Sequence, residues 1–425
     1  MPSMNFSSSL LALLALPAVS QLAEIAGATP CHLVGGAVRD AALGREVHDL
    51  DAVVEGRGEE IARALAARLP ARFVPLGGKE FPAFRLVADD LELDVWDRSG
   101  MSLEEDLARR DLTINAIAYD LRSHETVDPF GGLADLSRRL LRAVTPKSFA
   151  GDPLRLLRLA RLAVQLPGFA PAQETLLLAR VSAAALPTVA GERIREELSR
   201  IVSSPRAVTG VKILAEIGIY PGLWTYALGT ILPTAQVLDR LTAYERISNE
   251  EWALPAEEAA RTAGRWALLF AELREHGGAA EGALARFVDR GYLSKAEGQP
   301  VGYLLALSSL PESEADRRLF LHRLGPRLWP AALAFLGARG AASEGEMRSL
   351  AELAGREAEA IFDPPRLLSS DGVRAATGAP AGPELGRLLA ALRKAQVRGE
   401  VATEKEAESL VRTLAGLSAL RPASD

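Results

Sequence analysis

Residues 33–54, LVGGAVRDAALGREVHDLDAVV, constrain the fold most strongly, because they join a glycine turn to two closely spaced aspartates. Leu33 and Val34 are predicted to end a buried strand. Gly35 and Gly36 follow as a turn, where backbone N–H groups can approach an anion because no Cβ intervenes. A short helix is predicted next, and phosphate oxygens at the turn would meet its positive end. The stretch therefore predicts a strand, a phosphate-binding turn and a helix.

Two aspartates begin the strand that comes after this helix. Residues i and i+2 of a strand point to the same side, so Asp49 and Asp51 present two carboxylates to one point while Leu50 faces the core. Two carboxylates together with phosphate oxygens suit Mg²⁺, which keeps several of its waters. An isolated pair of this kind is more often a helix cap and a surface residue. The glycine turn and Arg39, a candidate phosphate contact, favour a catalytic metal site.

The segment after these aspartates reads as alternating strands and helices. An amphipathic helix is predicted over Glu59 to Leu69, and strands are predicted over Phe73 to Leu76, Phe84 to Val87 and Leu91 to Trp96. This succession predicts an α/β sheet domain. Asp94 lies on the last of these strands, where we expect an exposed acid; a third active-site carboxylate is the alternative.

A second charged cluster follows a predicted helix start. Ser102 and Glu105 have the spacing of a capping box. The helix leads into the run RRDLTINA, in which Arg110, Asp111 and Asn115 stand close together. Guanidinium groups suit phosphate, and a carboxylate accepts a hydrogen bond from a hydroxyl. The run can therefore serve the phosphates and the sugar of a nucleotide.

Beyond about residue 145 strand-like alternation gives way to helical periodicity to the end of the chain. The first helix is predicted to carry Asp152, Arg155, Arg158 and Arg161 on one slowly rotating face. Such arginines usually form a solvated surface. A carboxylate and a guanidinium three residues apart can also form a donor–acceptor edge that pairs with a nucleobase.

These motifs together resemble a known family. The pattern GGxVRD…LG…DxD, with RRDxxxNA after it, is similar to the head domain of class II tRNA nucleotidyltransferases and bacterial poly(A) polymerases, which share a polymerase-β-like nucleotidyltransferase fold. Asp152 and Arg155 match the family's base-recognition motif EDxxR, with Gly151 where the family has Glu. The resemblance covers about residues 31–212 and 366–412.

The resemblance implies template-independent transfer of CMP and/or AMP from CTP and/or ATP to the 3′ end of tRNA, with release of pyrophosphate. Asp49 and Asp51 would be catalytic and hold Mg²⁺. Arg110 would contact the triphosphate and Asp111 the ribose 2′-hydroxyl. The full predicted nucleotide-binding set is Gly35, Gly36, Arg39, Arg110, Asp111, Asn115, Asp152, Arg155, Arg158 and Arg161.

Alternative functions remain within this resemblance. A poly(A) polymerase that extends RNA with ATP shares every head motif, and an inactive RNA-binding scaffold could use the same fold. In relatives that add all of CCA, a flexible loop precedes the second motif; here only residues 95–101 separate Asp94 from Ser102. Together with Gly151, this predicts addition of C alone or of A alone, with a complementary nucleotidyltransferase completing the tRNA.

Length and charge set the remaining expectations. At 425 residues the chain is long enough for several domains. With a net charge of −6, RNA contacts must come from local basic patches, and no DNA partner is predicted. The single Cys31 fits a cytoplasmic location. We predict a head over 1–145 with a helical lead-in over 1–27, a helical neck over 146–212, a body over 213–360 and a tRNA-contacting tail over 361–425.

Residues 8–21 superficially resemble the apolar core of a signal peptide. No Lys or Arg precedes them, and Pro17 interrupts the apolar run. We therefore predict a helix from Ser8 to Ala26 that covers the head domain. No other segment approaches the length needed to cross a bilayer, so no membrane partner is expected.

Overall fold

The computed structural model describes residues 10–47, 49–76, 82–88, 91–98, 100–220, 234–253, 256–275 and 280–416. The chain forms two compact units. The first comprises Met1–Ile201 and Thr209–Leu223, and the second comprises Val202–Val208 and Trp224–Asp425. The predicted head, neck, body and tail boundaries divide the chain more finely than this and stay predictions.

Within the described residues, seven strands of the first unit form one mixed sheet. They are β1 (Cys31–Val34), β2 (Asp49–Val54), β3 (Arg72–Leu76), β4 (Ala83–Ala88), β5 (Leu91–Asp97), β6 (Ala118–Asp120) and β7 (Thr126–Val127). Their order across the sheet is β3-β4-β5-β2-β1-β6-β7. Strands β2 and β5 run parallel, and the other neighbours run antiparallel. The strand that begins with the two aspartates is therefore central.

Helices pack around this sheet and continue beyond it. They are α1 (Pro17–Ala26), α2 (Gly36–Ala42), α3 (Gly58–Arg68), α4 (Leu103–Ala108), α5 (Gly132–Arg138), α6 (Arg155–Gln165), α7 (Gln173–Ser182), α8 (Gly191–Val202) and α9 (Ala207–Glu216). The predicted capping box opens α4: Ser102 accepts from the Glu105 amide, and Glu105 accepts from the Ser102 amide.

Among the described residues of the second unit, all regular secondary structure is helical. Its helices are α10 (Thr234–Ser248), α11 (Glu258–Glu275), α12 (Ala280–Asp289), α13 (Lys295–Leu305), α14 (Glu314–Ala338), α15 (Glu344–Arg356), α16 (Ala358–Phe362), α17 (Ser370–Thr377), α18 (Pro383–Val397) and α19 (Glu404–Leu414). The last three share a small apolar core built around Val373, Leu392 and Val411. The predicted succession of an α/β head and an all-α remainder is confirmed.

Two details differ from the sequence prediction. The lead-in is not one helix, because a 3₁₀ turn over Ala12–Ala15 ends before Pro17 begins α1; Ser8 lies outside the described residues. Residues after 145 are not free of strands, because Ala170–Pro171 pairs in parallel with Leu140–Leu141. Two-residue strands carry too little alternation to be recognised in sequence. In the described part of the chain no helix has the length and apolarity to cross a membrane.

Candidate active site

All of the site residues predicted from the sequence line one cleft of the first unit. The cleft has a volume of about 1270 Å³, which is enough for a nucleoside triphosphate and the end of a second substrate. Among the described residues that line it, ten arginines face ten carboxylates. Because these charges balance, a bound triphosphate would need further positive charge.

The glycine turn brings an arginine and an aspartate together. Gly35 follows β1 with φ 73° and ψ −137°, a conformation that L side chains rarely adopt. A Cβ at Gly35 would lie 3.0 Å from Arg110 Nη1 and 3.1 Å from Asp51 Oδ2. Arg110 Nη2 donates to Asp106 at 3.1 Å, whereas its buried Nε has no hydrogen-bond partner among the described residues. Arg110 therefore brings its positive charge to the turn through Nη1.

Asp49 and Asp51 both reach the cleft, and their surroundings differ. Asp49 is exposed at the start of β2, and Leu50 between them is buried. Burial raises the pKa of Asp51; the charge of Arg110 opposes this rise, and the nearby Asp94 adds to it. The Trp96 side chain also acts to lower the pKa of Asp51. Asp51 therefore carries a desolvated negative charge that a cation would stabilise.

The donor set fits a divalent metal only with help from substrate. In the described part of the chain, no three or more His, Cys, Asp and Glu side chains are grouped to hold a metal ion by themselves. Two carboxylates, completed by phosphate oxygens and water, match the usual environment of Mg²⁺. The position of Asp49 and Asp51 beside the glycine turn allows such a shared site.

Asp94 is not the exposed strand acid that we expected. It lies on β5 directly beside Asp51 in the parallel register, and only 8% of it is exposed. Arg85 binds it through two hydrogen bonds of 2.8 Å, and Arg85 also pairs with Glu92 at 2.5 Å. The ion pair compensates the charge of Asp94. The carboxylate is therefore part of the cleft wall next to the predicted metal ligands.

A hydrogen-bonded chain connects the turn helix to the second motif. Arg39 donates to both carboxylate oxygens of Asp40, at 3.0 and 2.6 Å, and to Asn115 Oδ1 at 2.7 Å. Asn115 Nδ2 in turn donates to Asp111 Oδ1 at 2.8 Å. The Arg39 guanidinium is thus already engaged, and it holds Asn115 in place rather than standing free for phosphate.

Asp111 is buried and strongly bonded. Its carboxylate also accepts from the Leu112 amide at 2.8 Å and from Arg158 Nε at 2.8 Å. Burial alone would raise the pKa of Asp111, but the charge of Arg158 and the hydrogen bonds lower it to about 2. Asp111 is therefore a fixed anion at neutral pH, and Arg158 is its counter-charge.

The predicted base-reading edge has a different geometry from the one expected. Helix α6 begins at Arg155, so Asp152 precedes it and accepts from the Leu154 amide at 3.2 Å. Arg155 Nη1 donates to the Ser148 carbonyl at 2.8 Å, and the second contact of Asp152 is Arg193 Nη2 of α8 at 3.3 Å. The interpretation of Asp152 and Arg155 as one helical pair is wrong, because Pro153 follows Asp152 and the helix begins only after it.

Arg161 is held by an acid from a neighbouring helix. It lies 2.7 Å from Glu197 of α8, and both side chains are nearly buried, with 13% and 10% exposed. This pair connects α6 to α8. Arg161 also lines the cleft, so the nucleotide contact that the resemblance implies stays a prediction.

Several cleft residues were missed in the sequence. Trp96, Arg85 and Arg193 are among them, and Arg85 and Arg193 contact Asp94 and Asp152, respectively. The alternation of β5 placed Trp96 on the same face as Asp94, and that was the available signal. Arg193 lies 41 residues from its partner, so no local pattern reveals the contact.

Comparisons with known proteins agree with this architecture. Residues 31–142 match the family described as poly A polymerase head domain, and residues 168–224 match the family described as probable RNA and SrmB-binding site of polymerase A. The chain is 32% identical to a CC-adding tRNA nucleotidyltransferase of Geobacter sulfurreducens, over 94% of this chain and 96% of that protein. It is 33% identical to a CC-adding tRNA nucleotidyltransferase of Thermus thermophilus, over 89% and 92%.

A solved structure shares the fold over almost the whole chain. The Thermotoga maritima CCA-adding enzyme complexed with tRNA superposes with a TM-score of 0.71 at 22% identity. The match covers 97% of this chain and 98% of that one. Identity at this level supports the fold, whereas the two full-length relatives carry the evidence for the family.

Proposed function

The chain belongs to the tRNA nucleotidyltransferase and poly(A) polymerase family, and from this premise we propose that it transfers CMP from CTP to the 3′ end of tRNA. One observation carries the proposal. The Arg110 guanidinium and the Asp51 carboxylate both lie beside the Gly35 turn, at 3.0 and 3.1 Å from the position that a Cβ at Gly35 would occupy. Asp49 lies on the same strand as Asp51. This is the arrangement that nucleotidyl transfer needs, because the reaction depends on positioning and charge stabilisation.

We assign a separate role in the reaction to each group of site residues. The turn of Gly35 and Gly36, with Arg110, holds the triphosphate. Asp111, ionised and fixed, accepts from the ribose 2′-hydroxyl once the sugar displaces or shares its Arg158 contact. Asp152 presents a carboxylate to the base. We assign Mg²⁺ to Asp49 and Asp51; when bound, it supplies the charge that activates the attacking hydroxyl and offsets the leaving pyrophosphate.

The choice of CTP rests on the names of two relatives, and the addition of one kind of nucleotide rests on the segment between β5 and α4. Both full-length relatives are named as CC-adding enzymes. In addition, the segment between β5 and α4 is short and closed, since the Met101 amide donates to the Arg98 carbonyl at 2.8 Å and Arg98 Nη1 donates back to the Met101 carbonyl at 2.6 Å. A closed turn provides no long flexible segment that could switch the nucleotide specificity of the site between C and A. We propose that a complementary enzyme adds the terminal A and that both act in the cytoplasm.

The test offers two acceptors, tRNA lacking the CCA end and tRNA already ending in CC. CTP, ATP and their mixture are supplied to each, and products are resolved at single-nucleotide length. The proposal predicts two C residues on the first acceptor with CTP, and no A on either. Complete CCA from the mixture would overturn the partial specificity, and long A tails on arbitrary RNA would establish a poly(A) polymerase instead.

A further inference from the structure

The carboxylate strand separates the cleft into two sides. On one side of β2 lies β1 with the Gly35 turn and Arg110, which we assign to the triphosphate. On the other side lies β5, where Asp94 is the parallel neighbour of Asp51. Asp49 and Asp51 therefore stand between a phosphate-binding wall and a second wall formed by β5.

Trp96 is the aromatic residue of this second wall. It follows Asp94 by two positions on the same face of β5, while Leu93 and Val95 are buried on the other. Its side chain lines the cleft with 37% of the residue exposed. In the parallel register Trp96 lies beside Val53, two positions after Asp51 on β2, which places the ring near the catalytic carboxylate. A large ring is thus kept partly in solvent beside the reacting centre.

The direction of the reaction places the acceptor on this side. In nucleotidyl transfer the attacking and leaving oxygens lie roughly in line through the phosphorus atom. If pyrophosphate leaves toward Gly35 and Arg110, the 3′-hydroxyl must approach from the direction of β5. The last nucleotide of the acceptor then lies against the wall that contains Trp96.

The other exposed group of this wall is already engaged. Arg85 is bound to Asp94 and Glu92, so its charge is compensated. Trp96 is 37% exposed and carries a single polar atom, so its ring face is available to an apolar or aromatic partner. Every nucleobase has such a face, and stacking tolerates any sequence.

We propose that Trp96 is the stacking platform for the terminal base of the acceptor RNA. This inference rests on the proposed transfer to an RNA 3′ end and assigns the acceptor subsite of that same cleft.

The test combines Trp96 variants with a modified acceptor. Trp96→Ala should raise the KM for the acceptor by about tenfold, since removal of a stacking ring costs about 1–3 kcal/mol per base, and should leave the KM for CTP within about twofold. Trp96→Phe keeps an aromatic ring, so it should largely retain the acceptor KM. With an acceptor whose terminal residue is abasic, the acceptor KM of the wild type should rise by the same factor. The acceptor KM of Trp96→Ala should not rise further.

Controls keep the outcomes apart. Arg195→Ala, on α8 but outside the lining of the cleft, should change neither KM. If Trp96→Ala does not fold, Trp96→Leu, which keeps apolar volume without a π face, replaces it. No CMP transfer by the wild type would overturn the proposed function and this assignment with it. If the wild type is active but the effects of Trp96→Ala and of the abasic acceptor on the acceptor KM add, the assignment of Trp96 alone is overturned. The same conclusion follows if Trp96→Ala raises only the KM for CTP.

Discussion

Replacement of Arg158 by methionine should destabilise the first unit by about 3 kcal/mol at neutral pH, because it leaves a buried carboxylate without its counter-charge. Asp111 is 4% exposed, and its pKa lies at about 2 against an ordinary 3.8. That difference corresponds to about 2 kcal/mol of stabilisation. Without Arg158 the desolvation of Asp111 is opposed only by the hydrogen bonds from Asn115 and the Leu112 amide, so the pKa of Asp111 should rise. The Arg158 side chain is 41% exposed, which places the cost at the lower end of that for buried pairs.

The pH dependence has a definite sign. The contribution of a depressed carboxylate pKa is complete above pH 3.8 and is lost as the pH falls through about 2. In the Arg158→Met protein, acid instead relieves the unpaired charge of Asp111. The difference in stability between the two proteins should therefore shrink as the pH is lowered toward 3.8.

Amide hydrogen exchange measured by mass spectrometry suits this test, because it reports on the first unit within the full chain. Peptides over residues 109–120 should lose about 3 kcal/mol of protection in Arg158→Met at neutral pH. In an Asp111→Asn background the same replacement should cost less than about 1 kcal/mol, since no charge is stranded. An equal loss in both backgrounds would contradict the role of Arg158 as a counter-charge and show that it acts through packing alone.

Three further predictions concern the cleft. Gly35→Ala should lower kcat/KM for CTP by about 100-fold, because a Cβ meets two active-site groups and the backbone is strained; unchanged steady-state kinetics would contradict this. Arg193→Ala should lower kcat/KM for CTP by only about threefold, as expected for an exposed pair, and should have no effect when Asp152 is already alanine. Replacing Glu197 by leucine should cost about 3 kcal/mol in the free energy of unfolding, and adding Arg161→Met should restore most of it with the KM for CTP unchanged; a raised KM in the double variant would make Arg161 a nucleotide contact.

Local patterns made the core of the site predictable from the sequence. The two aspartates of β2 share a face because side chains alternate along a strand, and the glycine turn precedes them by few residues. The capping box of α4 is equally local and has the predicted hydrogen bonds. Within such short stretches, residue type and spacing fix the geometry.

Contacts between distant segments were not predictable in the same way. The ion pair of Arg85 with Asp94 depends on the register of two antiparallel strands, and that register turned an expected surface acid into a buried one. The contact of Arg193 with Asp152 depends on the packing of α8 beside α6. Pro153 shifted the start of α6 past Asp152, which changed the partner of that carboxylate without changing the motif.

CMP transfer by a protein lacking the predicted metal ligands tests the central claim most directly. Wild type and Asp49→Asn/Asp51→Asn are compared with labelled CTP, Mg²⁺ and tRNA lacking its CCA end, after thermal melting has shown that both are folded. We expect incorporation by the wild type and none by the double variant. Robust incorporation by the folded double variant would contradict the assignment of Asp49 and Asp51.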